Sequence, residues 1–490
     1  MANEDAHTLL DASAQNPPPQ SSKLRMLMCE VGLQALLESS TDVRILCFQR
    51  LVRMIAYGQA TLILTLYFSA LGFSDERIGL FMSATLIGDV LISFFLTLFA
   101  DALGRRRVLI LGCAMMFTSG LIFAIFDNFW ILLIAAIVGV ISPNGNEVGP
   151  FRAVEESTLA HLVSAESRTD IFSWYALLGR IGSGLGTISC GTLVQVLQDR
   201  AGWSNVYAYR FIYVSYSSIA LIKLYSSFKI SDKCELPAFL ERRKKRAEAL
   251  DESLDENAIM LENMQSSEDE LRDGAVQEED GRLMRITRKS GLRSSIPSFS
   301  ARSKKTLSIL MPLFFLDSFG QGLVNNSWLT YYFNDKFGVK EASLGGIFLT
   351  GHIVATFGAL IAASTAKRLG VVQTMIITHI PSSIILGLIP ASSNLFLAIF
   401  LFAVRAGTNM MDTAPRQVFV SSIVLAEERT SVMGIMNVVR TLSTAFGPAI
   451  TGAFAGQGRM WISFEIAMAM KLLYDVGILS YFLKEKLDRS

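Results

Sequence analysis

Twelve stretches of roughly 20 residues, each apolar enough to cross about 30 Å of hydrocarbon as a helix, leave this chain few ways to fold. Six precede residue 230, near 45–70, 76–100, 108–127, 129–156, 171–197 and 206–229. Six follow residue 306, near 307–333, 343–365, 371–391, 394–416, 431–455 and 460–483. Composition agrees, because 51% of the 490 residues are hydrophobic and 18% charged, against about 25% charged in soluble domains. The expected class is an all-α integral membrane protein with twelve transmembrane helices.

Charge and cysteine usage remove other classes. Forty-four Lys and Arg against forty-three Asp and Glu leave a net charge of +1, which gives no field for nucleic acid. Cys29, Cys47, Cys113, Cys190 and Cys234 are scattered without C-x-x-C spacing, so neither a disulfide framework nor a metal site is encoded. Residues 1–44 lack the basic and apolar regions of a cleavable signal and are read as a cytosolic tail. Residues 230–306 carry ERRKKR, an acidic block from Asp251 to Asp280 and the tail RSSIPSFSARSKK. That segment cannot bury a core and is expected to be a disordered cytosolic loop. It separates a half at 45–229 from a half at 307–484, with a short tail at 485–490.

Lys and Arg in short connections set orientation, since positive charge is retained on the cytosolic side. Arg105, Arg106, Arg107, Arg168, Lys367, Arg368 and Arg429 fall on the side of the basic central segment. An even number of spans then puts both termini in the cytosol. The halves also repeat: Gly72, Gly79, Ala100, Leu103 and Gly104 recur 266 positions later as Gly338, Gly345, Ala366, Leu369 and Gly370. AESRT at 165–169 matches AEERT at 426–430. Two similar six-span halves are the pattern of parallel repeats enclosing a site at their interface.

The loop after the second span reads ADALGRRRVLILG. It resembles the loop signature of the major facilitator superfamily, G-x-x-x-D-x-x-G-R-R/K-x, with Asp101, Gly104, Arg105 and Arg106 matching and Thr97 where the family usually has Gly. The second-half copy, STAKRLGVV, keeps Lys367, Arg368 and Gly370 without the acid. The resemblance implies two pseudo-symmetric six-helix halves that rock about a midplane site. It also implies that the loop arginines latch the cytosolic face, in competition with simple positive-inside anchoring. The eleventh span's FGPAITG resembles the family's glycine-rich antiporter helix motif, which leaves the direction of coupling open.

Ionisable groups deep in the spans are functional candidates because each costs several kcal/mol unless paired or wet. In the first span Arg50 and Arg53 share a helical face. Arg50 snorkels to headgroups or faces the pathway; Arg53 is a candidate substrate contact, with Tyr57 one turn on. Asp317, Gln321 and Asn325 recur every four residues in the seventh span, as a stripe facing either a wet pathway or a neighbouring helix. The fourth span sets two prolines and two glycines around Glu147. A broken helix there makes Glu147 the leading proton-coupling carboxylate, followed by Asp89, Asp317 and His352. Arg405, near the middle of the tenth span, is the candidate anchor for an anionic group. Arg152 with Glu155 and Glu156, and Asp412 with Arg416, are read as a pseudo-symmetric gate. Arg180 and Arg440 face the cavity or neutralise Glu147 and Asp412. Lys471 and Asp475 are read as a structural pair at i,i+4. Four deep arginines (53, 180, 405, 440) against Asp89, Glu147, Asp317 and Asp412 leave the substrate's charge open, with a lean toward an organic anion or zwitterion.

The expected function is a secondary transporter of a small polar or amphipathic solute, proton-coupled and monomeric, with the lipid bilayer as its other partner. No H-E-x-x-H, G-x-S-x-G or P-loop pattern occurs, so neither an enzyme, a cofactor, a metal nor ATP-driven pumping is expected. The alternative is a non-transporting membrane receptor on the same fold. Asp5, Leu9 and Leu10 fit an acidic dileucine sorting pattern, which points to a vacuolar or endolysosomal membrane beside the plasma membrane.

Overall fold

The computed structural model describes residues 32–139, 141–143, 150–164, 166–235, positions 239–241, 244, 245 and 248, then 300–424 and 428–489. The dileucine pattern, Glu147 and most of the central segment, including 249–299, lie outside the described residues. After a short α1 (Leu33–Glu38), the N-terminal half consists of α2 (Thr41–Ala70), α3 (Asp75–Leu103), α4 (Arg105–Ile125), α5 (Phe129–Gly139), α6 (Pro150–Leu162), α7 (Arg168–Asp199) and α8 (Asn205–Phe228). The C-terminal half consists of α9 (Ala301–Leu323), α10 (Asn326–Phe337), α11 (Glu341–Leu369), α12 (Val371–Ala391), α13 (Leu395–Met411), α14 (Thr413–Ile423), α15 (Arg429–Gly456) and α16 (Trp461–Arg489).

These helices make twelve spans, because the fourth (α5, α6), seventh (α9, α10) and tenth (α13, α14) each cross in two pieces. Local chemistry sets the breaks. Asn325 leaves helical geometry at ψ 171°, and its Oδ1 accepts the Trp328 N–H at 2.9 Å, an N-cap in mid-membrane. Pro415 sits in the first turn of α14, where a missing amide costs no intrahelical bond. Among the described residues, six helices are long and apolar enough to cross a membrane individually, Thr41–Ala70 and Glu341–Leu369 among them. The repeat is visible in the turns: Gly104 and Gly370 take φ of 93° and 91°, a region open to glycine at little cost, and each starts the third span of its half.

Both described chain ends lie on one side of the bundle, here called the tail face; the opposite side is the far face. The apolar core is undivided toward the far face, where one cluster joins Ala60, Leu64, Phe68 and Tyr213 of the first half to Trp328, Leu344, Phe402 and Phe464 of the second. Toward the tail face it splits. Val43, Leu46, Val108, Val154 and Ile171 form one cluster, and Leu307, Phe314, Val372, Phe419 and Ile478 another. Contacts between the halves follow that division. Thr65 Oγ1 donates to Ser327 O at 2.9 Å, Ser327 Oγ to Thr61 O at 3.0 Å and Tyr209 Oη to Glu341 Oε1 at 2.6 Å. A Cβ on Gly79 would fall 2.5 Å from Pro448 O, and one on Gly191 2.2 Å from Glu341 O, so backbones touch along this seam. Among the described residues, no hydrogen bond between the halves lies nearer the tail face than the level of Arg180.

Candidate functional site

Each half buries a network of charges around one acid. In the first, Glu155 of α6 accepts from Arg53 of α2 twice, Nη1 to Oε1 at 2.8 Å and Nη2 to Oε2 at 2.6 Å. Tyr175 Oη of α7 donates to Oε2 at 2.7 Å, and Lys223 Nζ of α8 lies 3.4 Å from Oε1. Arg53 and Glu155 are 1% and 0% exposed. Burial of this depth is tolerated because the pair is bidentate and its remaining lone pairs are occupied. The helix-surface reading of Arg152, Glu155 and Glu156 is corrected accordingly. Exposed Arg152 takes Glu156 at 2.7 Å, while Glu155 turns inward. Arg50 does not snorkel: it is buried, 4.9 Å over the Tyr175 ring and packed on Gly179.

In the second half Asp317 of α9 is bound by Arg416 of α14 and by Lys471 of α16 at 2.6 Å. Arg416 also holds Asp412, as the sequence spacing anticipates. His379 of α12 stands between two acids, Nδ1 2.8 Å from Asp475 Oδ1 and Nε2 3.3 Å from Asp317 Oδ1. The expected Lys471–Asp475 pair is thus replaced by two contacts to other helices. Glu155 and Arg416 are 261 positions apart, the same offset as AESRT and AEERT. The two halves therefore place the same ion pair, first helix to fourth, with the signs exchanged. Arg416 is the counterpart of Glu155, not of Arg152, so the expected gate symmetry does not hold.

Nearer the midplane, Arg180 of α7 reaches across to the second half, Nη1 to Ala355 O at 3.2 Å and Nη2 to Met410 Sδ at 3.0 Å. His352 of α11 lines a small enclosed space with Gly58, Thr61, Ser183, Thr187 and Asn326. Arg405 lies on α13, half-buried, in helical register with Asp412 seven residues on. Among the described residues, no carboxylate and no hydrogen-bond acceptor meets its guanidinium.

Other expected site residues fall elsewhere. Asp317 and Asn325 are 1% and 4% exposed, the first enclosed in its ion network and the second capping α10, so the proposed stripe does not line a pathway as a unit; Gln321 between them is half-buried. Tyr57 and Asp89 are buried within the first half. At the tail face, Glu235 accepts the amides of Arg105 and Arg106 at 2.8 and 3.0 Å, capping α4 with a carboxylate at its positive end. The Arg105 side chain bonds Ser157 Oγ at 2.8 Å, and that of Arg106 bonds Phe228 O at 2.7 Å. Both clamp the first half to itself; Asp101's side chain lies outside the described residues. Sequence reading overlooked Lys223, Tyr175 and His379, whose partners lie on other helices and leave no local pattern.

The family model of the Major Facilitator Superfamily matches residues 46–233 and 310–489. An uncharacterized membrane protein of Saccharomyces cerevisiae is 34% identical over 454 residues, covering 91% of this chain and 95% of that one. The quinolone resistance protein NorA of Staphylococcus aureus is 26% identical over 101 residues, 21% of this chain and 26% of its own. Among solved structures, the D-xylose-proton symporter is similar with TM-score 0.63 and 15% identity, covering 89% of this chain and 96% of that one. A bacterial homologue of the iron transporter ferroportin, in its inward-facing state, gives TM-score 0.64 and 11% identity over 90% and 99%. The two matched blocks are the two helical halves, with the central segment between them left out, and the chain belongs to the major facilitator superfamily.

Proposed function

We propose that this chain is a secondary transporter that carries a small organic anion or zwitterion by alternating access, coupled to protons. Arg405 carries the substrate reading: a guanidinium deep in the bundle with no carboxylate among the described residues is a costly arrangement that an anionic solute completes. The undivided far-face core and the split tail-face core support this reading, as one end state of a rocking carrier has that form. With the Lys and Arg count placing the tail face in the cytosol, that state faces inward and both termini are cytosolic, in a vacuolar, endolysosomal or plasma membrane.

For the proton, His379 joins Glu147, Asp89 and His352 as a candidate. Imidazole is the side chain whose proton moves near neutral pH, and here it bridges the acid that holds Arg416 and Lys471 to Asp475. Uptake into proteoliposomes of purified protein, from a panel of organic anions, zwitterions and neutral solutes with and without an inward proton gradient, tests both parts. Arg405→Ala is expected to abolish uptake while the protein stays inserted and monodisperse; unchanged flux removes Arg405 as the anchor. His379→Gln is expected to leave downhill flux and to lose gradient-driven accumulation, whereas retained accumulation moves the proton to Glu147 or Asp89.

A further inference from the structure

A cavity of about 360 Å³ lies in the C-terminal half between α9, α14 and α15, lined by Phe314, Arg416, Gln417, Met433, Asn437 and Arg440 among others. Its size is that of small-molecule sites, roughly 300–1,000 Å³. Its chemistry is uneven. Arg416 spends its terminal nitrogens on Asp317 and Asp412, yet its buried Nε has no acceptor among the described residues. Arg440 has a buried Nε in the same condition, and none of its guanidinium nitrogens meets a carboxylate among the described residues; its cation rests 5.9 Å over the Phe314 ring. Both residues line this cavity and bring two positive charges to it, and no carboxylate among the described residues answers that of Arg440. Gln417 and Asn437 add exposed amides. Phe314, Met433 and Met436 supply an aromatic and thioether wall, a surface that adapts to flat apolar groups.

We propose that this cavity is a second anion site, for a soluble organic anion with one carboxylate or phosphate head and an apolar body. The head meets the Arg440 guanidinium beside the positive charge of Arg416, leaving the pairs to Asp317 and Asp412 in place; the body lies on Phe314 and the methionines. The site shares its ligand class with the central reading but stands on different residues, and occupancy is read here without transport.

Gly434 provides the reporter. It lines the cavity, is exposed, and a Cβ there meets nothing within 4 Å, while Cys47, Cys113, Cys190 and Cys234 are buried. In full-length Cys29→Ser/Gly434→Cys protein in phosphatidylcholine nanodiscs, alkylation by a maleimide is timed with 2-naphthoate or the neutral 2-naphthalenemethanol. At about ten times its Kd, naphthoate is expected to slow the reaction about tenfold by occupancy, and the alcohol is expected to do nothing. Arg440→Gln is expected to raise the protecting concentration about tenfold, Arg440→Lys less, and Arg405→Gln to leave protection intact. Equal protection by the alcohol, or indifference to Arg440→Gln, overturns the anion site. Loss of protection in Arg405→Gln overturns its separateness, and protection by phosphatidylglycerol nanodiscs alone assigns it to a lipid headgroup instead of a solute. Failure of the Arg405 flux prediction leaves all these readings unchanged.

Discussion

Glu155, 0% exposed, holds Arg53, Tyr175 and Lys223, so its removal takes the carboxylate away from two buried cations. Glu155→Gln is expected to cost about 3–5 kcal/mol, the range for breaking one side of a buried pair, and to lower the thermal midpoint of the detergent-purified protein. The double variant Arg53→Met/Glu155→Leu, which removes the pair together, is expected to recover most of that loss; a midpoint as low as the single variant's contradicts the pairwise account. Arg53 was legible through its depth in an apolar run, and Arg405 for the same reason. The sequence could not choose between Glu155 and Glu156 for Arg152, because i+3 and i+4 are both neighbours on a helix surface. His379 was invisible as a functional residue: its acids sit on α9 and α16, and Asp475 is 96 positions away in sequence.

At the scale of helices, apolar length located the spans to within a few residues, so 371–391 became Val371–Ala391 and 108–127 became Arg105–Ile125. Breaks were harder to see. The prolines and glycines announced the interruption of the fourth span, but the pair Asn325–Asn326 read as part of a polar stripe when its stronger property is to cap a new helix. The glycines spaced along α3, α7, α11 and α15 hold the far-face seam, where Gly79 and Gly452 bring α3 and α15 into backbone contact. Gly79→Val is therefore expected to wedge this seam apart and bias the carrier away from the described state. A cysteine at Thr330, buried at 1% exposure behind the seam, then becomes reactive toward a membrane-impermeant maleimide added from the far face; unchanged labelling removes the seam as the lock.

For the whole molecule, twelve spans and the repeat were legible, while most of the networks inside each half were not, since they join residues on different helices, up to 154 positions apart. The chain on either side of that segment is fastened to the half it leaves or enters. Asp42 accepts the Ser231 amide at 2.9 Å, Glu235 caps α4, and Glu428 accepts the Ser300 amide at 2.7 Å. Under the proposed rocking each anchor moves with its own half. The exchanged signs of the two ion pairs bear on inheritance. An exchange of the first or fourth span between the repeats would bring Arg53 against Arg416, or Asp317 against Glu155. Either product buries like charges face to face, so each half is committed to its own complement and neither can overwrite the other.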